Sequence, residues 1–214
     1  MKRLVACLFV LFACPLVAYE YADFTPDQQQ MLQNGQSLVW TYQDAVSHKQ
    51  FTCVAALMET PLAEVWTFIG NKELAPTYLN GVDISKVIGR EGDDLLVFQQ
   101  TRATGISKSF KYTTKHHPTP FTRIEFQKVS GDLRDVEGAW HFDPVDEGRK
   151  TLLVYQLHLD PGFFYPQAFV VNSQKQRLPQ VMVEIRKRLS EQKEKQTASR
   201  NPSVPRLVNA VPSN

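Results

Sequence analysis

From residue 51 onward, apolar and polar positions alternate in short runs that stop at clusters of Gly, Pro, Asp or Ser. Residues 51–58 form the first run: Phe51, Cys53, Ala55 and Leu57 share one face, and Thr52, Val54, Ala56 and Met58 the other. Further runs follow at 84–89, 95–103, 107–116, 121–129, 136–143 and 151–160. Glu91-Gly92-Asp93, Pro118 with Pro120, Ser130-Gly131-Asp132 and Asp146-Glu147-Gly148 mark the turns between them. This spacing is too tight for parallel crossovers and predicts sequential antiparallel hairpins. Two interruptions have helical period. Thr60-Pro61 stops the first strand and opens a helix with Leu62, Val65, Trp66 and Ile69 on one side, followed by a short helical stretch over 72–79 that contains Pro76. After Pro161-Gly162 the period changes again. Leu178, Met182, Ile185 and Leu189 recur on one helical face, with Phe169 and Val170 extending it upstream. Pro179 lies inside this last helix and predicts a kink or a division into two segments. The expectation is α+β: a curved antiparallel sheet of six to seven strands closed by one long C-terminal helix.

The stretch before this domain has its own pattern. Thr25-Pro26-Asp27 reads as a capped helix start and Gly35 as its stop, with Phe24, Met31 and Leu32 as the only apolar grips. A surface arm over 19–49 is expected, with residues 38–42 forming a short edge strand. Beyond residue 195 the chain is rich in Ser, Asn and Pro, so 196–214 reads as a disordered tail and 50–195 as the domain proper.

Residues 1–18 change the picture of charge and compartment. Lys2 and Arg3 precede an apolar run from Leu4 to Val17, and small Ala18 follows. That is the form of a secretory signal peptide, and it predicts an exported, periplasmic or secreted protein. Cleavage after Ala18 is favoured, with Ala22 as the alternative; an uncleaved anchor is a further alternative. Leu11-Phe12-Ala13-Cys14 has some likeness to a lipoprotein box, but Phe12 is bulky and the residues after Cys14 stay apolar. Loss of the segment takes Lys2 and Arg3 from the 24 basic residues and leaves 22, against 22 acidic ones. A neutral balance lacks the single-sign field that nucleic-acid binding uses. Cys7 and Cys14 leave too, and Cys53 stands alone as a small apolar residue within a strand.

Three short motifs carry a resemblance. Thr60-Pro61-Leu62-Ala63-Glu64-Val65-Trp66, Gly138-Ala139-Trp140-His141-Phe142 and Thr151-Leu152-Leu153-Val154-Tyr155 occur in an order and at spacings similar to those of the START-like superfamily. That superfamily includes birch-pollen-allergen-type proteins, polyketide cyclases and coenzyme-Q-binding START-type proteins. The likeness covers about residues 50–192 and implies a helix-grip fold with a cavity between sheet and helix that holds an apolar small molecule or lipid.

Strand parity then selects the lining. Leu153, Tyr155, Leu157 and Leu159 share a face, as do Trp140 with Phe142, Ile124 with Phe126, and Phe110 with Tyr112. Phe98, Leu157 and Phe169 join these aromatics as candidate ligand contacts. Phe163, Phe164 and Tyr165 are expected at the rim, where they also suit a transient membrane contact. Arg102, on one strand face with Gln100, is the candidate polar group beside the Tyr112 and Tyr155 hydroxyls. Arg134 and Glu137 are candidates for an ion pair. His141 and His158 are expected on solvent-facing positions of adjacent strands, near Asp143 and Asp160. No catalytic group, metal ligand set or cofactor motif is assigned. The reading is a monomeric exported carrier or binder of a hydrophobic small molecule or lipid, such as a quinone or sterol-like compound. The alternatives are a cofactor-independent cyclase or hydrolase that polarises a carbonyl with Tyr112, Tyr155 and Arg102, and an envelope protein-interaction module.

Overall fold

A computed structural model describes residues 19–102, 109–162 and 165–200. The signal-peptide assignment, Phe163 and Phe164, and the chain after Arg200 lie outside the described residues. Eight strands form one antiparallel sheet: β1 (Ser37–Gln43), β2 (Gln50–Met58), β3 (Val82–Glu91), β4 (Asp94–Arg102), β5 (Ser109–Thr119), β6 (Arg123–Gly131), β7 (Asp135–Val145) and β8 (Lys150–Asp160). Their spatial order is β1-β2-β8-β7-β6-β5-β4-β3. Consecutive hairpins therefore build the run from β3 to β8, as the turn spacing predicts. The exception is the link from β2 to β3, which must cross from the strand next to one edge of the sheet to the opposite edge. That link contains helix α2 (Leu62–Gly70) and a 3-10 helix (Lys72–Thr77). The short α1 (Pro26–Gln33) precedes β1, and α3 (Gln167–Arg200) ends the described chain.

The sheet has more strands than expected because the arm contributes β1 as a full edge strand, paired from Ser37↔Ala56 to Gln43↔Gln50. Pro118 and Pro144 fall inside β5 and β7 instead of ending them. Helix α3 runs uninterrupted through Pro179 and reaches Arg200, five residues past the tail boundary drawn from the pattern.

Two apolar cores lie on opposite faces of the sheet. On the concave face, Val54, Ala56 and Met58 of β2 pack with Leu153, Trp140 and Phe142, and α3 supplies Leu178, Val181, Met182, Ile185 and Leu189. The stripe at i, i+4, i+7 and i+11 is thus the buried one. Phe169, placed on that stripe by the pattern, is instead 64% exposed, and Val170 takes the inward position. On the outer face, Ala55, Leu57, Leu152 and Val154 are covered by Leu32 and Leu38, with Tyr19, Tyr21, Phe24 and Trp40 around them. The arm is therefore a wall of a second core, and more than a surface attachment. Thr25 caps α1 by accepting from the backbone N–H of Gln28, and the Gln28 side chain accepts from the Thr25 N–H, so the capping box fixes where the arm turns.

Gly138 shows why the Gly-x-Trp motif needs its glycine. A Cβ there would lie 2.0 Å from the Gln156 carbonyl oxygen and 2.7 Å from the Phe126 ring. Its absence lets Phe126 lie across β7, and Trp140, two residues on, stacks on Tyr155 with ring centroids 3.9 Å apart.

Candidate ligand cavity

The concave groove is filled at one end and hollow at the other. At the filled end, Trp66 of α2 meets Phe142 edge-on at 5.1 Å, and Tyr78 meets Trp140 at 6.2 Å. Trp140 and Phe142, both expected to touch a ligand, stand in this packed end and not in the cavity wall, because α2 and the 3-10 helix occupy the space in front of them.

At the hollow end lies a cavity of about 440 Å³. At roughly 30 Å³ per water, that equals the volume of about fifteen waters, within the range of small-molecule sites. The sheet contributes Phe110, Tyr112, Phe126, Tyr155, Leu157 and Leu159. Helix α3 contributes Val170, Gln174, Leu178 and Val181 on its inward face, with Ser173 and Arg177 beside them. Leu79, Val82, Leu133, Val136 and Pro161 complete the apolar wall. Tyr165 closes one side with its ring edge-on to Phe110 at 6.5 Å. Phe169 also lines the cavity, and its exposure marks where the cavity meets solvent.

β4 requires a correction. Val97, Gln99 and Thr101 lie opposite Thr114, Tyr112 and Phe110, so they share the concave face. Phe98, on the other parity, is half-buried on the outer face and outside the cavity wall. Gln100 shares that outer parity. Gln99 and Thr101 are the cavity residues of this strand, and they were missed. Arg102 reaches the rim, but its side chain is 66% exposed and its Nε pairs with Asp83 at 2.7 Å. It therefore does not join Tyr112 and Tyr155 as a third carbonyl-polarising group.

Among the described residues the fully buried polar groups of the wall are few and neutral, and the charged Arg177 lines it from a half-buried position. The Tyr112 hydroxyl is hydrogen-bonded to Thr101, and burial drives its pKa up. Burial raises Tyr155 further, with contributions from Tyr112 and Tyr78, so both phenols stay protonated at neutral pH. Gln174 is 6% exposed. Its Oε1 accepts from the Thr52 hydroxyl at 2.7 Å, and its Nε2 has no protein partner. Gln174 falls four residues from both Val170 and Leu178, yet an amide on an apolar stripe gave no signal in the pattern.

Other candidates resolve as structural groups. His141 and His158 are both buried, not solvated, because the arm and the β1–β2 hairpin cover the outer face. Neither lies opposite the other: His141 faces Val154, and His158 faces Glu137. Tyr19 sits edge-on to His141 at 5.1 Å, and His158 donates from Nδ1 to the Gln50 carbonyl at 2.9 Å. Among the described residues no group of three His, Cys, Asp or Glu side chains gathers as a metal site would require. Arg134 and Glu137 do not pair with each other: Arg134 reaches Asp160 at 3.3 Å, and Glu137 meets Lys49 at 2.6 Å.

A curved sheet gripping one long helix around a partly hollow core defines a helix-grip fold. The family described as "Polyketide cyclase / dehydrase and lipid transport" matches residues 58–185, and the chain belongs to it. Ribosome association toxin RatA of Vibrio cholerae is 27% identical over 93 residues, which are 44% of this chain and 63% of that protein's length. A START superfamily protein from Mycobacterium smegmatis superposes with a TM-score of 0.58 at 14% identity, covering 66% of this chain and 97% of that one. Human STARD10 superposes with a TM-score of 0.60 at 13% identity, covering 79% and 75%. At these identities the likeness to solved structures concerns the fold.

Proposed function

We propose that the chain is an exported binding or carrier protein for a hydrophobic small molecule or lipid. The carrying observation is the cavity of about 440 Å³, whose wall is mainly aliphatic and aromatic. Apolar surface left open in a fold otherwise packed on both faces of its sheet is retained at a cost in stability, and an apolar occupant recovers that cost. Family membership supports the same reading. The basic, apolar and small-residue succession of residues 1–18 supports export. Phe110, Tyr112, Phe126, Tyr155, Leu157 and Phe169 are the proposed apolar contacts, with Phe169 at the rim placed to touch a membrane during uptake or release.

The test is native mass spectrometry of the purified protein, before and after organic extraction, followed by reloading from a lipid extract. A bound mass that is lost on extraction and regained on reloading is expected. Leu157→Trp, which fills the cavity from β8, is expected to lower reloading by about tenfold or more while the protein stays folded. A wild-type protein that stays empty in the presence of the extract refutes the proposal.

A further inference from the structure

The orphaned amide of Gln174 carries an inference about the chemical class of the occupant, and it rests on the binding function proposed above. Gln174 is nine-tenths buried and lines the cavity from α3. The Thr52 hydroxyl, itself fully buried on β2, donates to Oε1 at 2.7 Å and fixes the orientation of the carboxamide. With one end so held, Nε2 is left without a partner. A buried N–H without an acceptor is expensive, and such groups are rare in folded proteins. Two features identify what should meet it. The residues one helical turn to either side, Val170 and Leu178, are apolar and buried. Among the described residues the fully buried donor at this point of the wall is neutral, and the charged Arg177, three residues on, lines the cavity from a half-buried position. A carboxylate placed at Nε2 would lose hydration for a neutral donor, whereas a carbonyl oxygen would gain a bond at little desolvation cost.

We propose that Gln174, tethered by Thr52, is the polar anchor of the cavity. It donates from Nε2 to a neutral carbonyl oxygen (ketone, ester, amide or quinone) of an otherwise apolar ligand. The site thereby selects an oxygenated lipid over a plain hydrocarbon of the same length.

The test uses the protein as purified, with N-phenylnaphthylamine as a fluorescent apolar reporter and two competitors matched in chain length, methyl nonyl ketone and undecane. The wild type is expected to take up the reporter and to release it to the ketone at about tenfold lower concentration than to the alkane, the size of one buried hydrogen bond. In Gln174→Leu that preference is expected to vanish, the two competitors displacing the reporter at equal concentrations. Gln174→Met, which keeps the chain length and lacks the donor, serves if the leucine variant does not fold. Reporter uptake with equal displacement by both competitors in the wild type overturns the anchor and leaves the binding function standing. A preference that persists in a folded Gln174 variant removes the role from this residue. No reporter uptake by the wild type overturns both.

Discussion

Lys72 illustrates how a single residue sets a local condition on this fold. It lies in the 3-10 helix, buried, and its Nζ donates to the Ile69 carbonyl at 3.1 Å. Desolvation alone pushes its ammonium down from 10.5 to about 7. Between those values the unfolded chain holds a proton that the folded chain releases, so this residue's contribution improves as pH rises from about 7 to 10.5 and is worst below 7. Lys72→Met, which keeps the stem and drops the charge, is expected to stabilise the protein by on the order of 2 kcal/mol near pH 6, with a much smaller gain near pH 10. Urea unfolding at the two pH values measures this. An equal gain at both would mean that the ammonium is not the cost.

At the scale of elements, α3 is held by one side chain more than by any other polar group. Arg186 donates from Nε to the Leu57 carbonyl at 3.1 Å, from Nη1 to Gly35 at 2.7 Å and from Nη2 to Gln36 at 3.4 Å. It thus clasps the helix to the end of β2 and to the turn between α1 and β1. The same arm carries Tyr19, whose hydroxyl is 3.8 Å from the Cys53 sulfur. Burial pushes the Cys53 thiol up to about 12, so it is inert in the folded protein. Arg186→Met is expected to cost about 2 kcal/mol, as charged donors and three carbonyl contacts are lost. It is also expected to raise the alkylation rate of Cys53 by iodoacetamide, read by peptide mass mapping. A thiol that stays inert in the variant would show that the apolar contacts of Tyr19, Phe24 and Leu32 hold the arm unaided.

The elements themselves were legible from period alone, because alternation and the 3.6-residue stripe are imposed locally by strand and helix geometry. What alternation does not supply is which face points inward. In β4, Leu95, Leu96, Val97 and Phe98 are apolar on both parities, and only pairing with Thr114 and Tyr112 of β5 shows that Val97 and Gln99 face the cavity and Phe98 does not. Gln174 and Thr52 were invisible for a related reason. They are 122 positions apart, and their hydrogen bond exists only because α3 crosses β2. The buried histidines were misjudged because the arm that covers them reads as polar.

At the scale of the whole molecule, one sheet serves two cores, and a histidine buried on each face makes the fold sensitive to acid: His141 on the outer face and His116 on the concave face, where it stacks on Phe126. Burial pushes His141 down from 6.5 to about 4 and holds His116 well below its ordinary value. Both are neutral when folded, while in the unfolded chain they take up protons as pH falls below about 6.5. Stability is therefore full above 6.5 and declines as pH falls from 6.5 to about 4, by on the order of 2 kcal/mol from His141. Thermal unfolding across that range should show a falling midpoint in the wild type and a shallower fall in His141→Gln. Identical slopes would assign the acid sensitivity elsewhere.

The long helix can also be viewed as a beam. Its later half, from Met182 to Leu189, is built into the packed end of the groove and clasped by Arg186. Its earlier half forms the roof of the hollow end. Pro179 sits near the boundary and withholds the N–H that would brace the Lys175 carbonyl. A beam fixed at one end and notched near its support flexes at the notch. Cargo of varying girth would then be accommodated by tilting the earlier span about the hydrogen bonds that join Gln174 to Thr52 and Gln167 to Leu159, with the packed end left undisturbed.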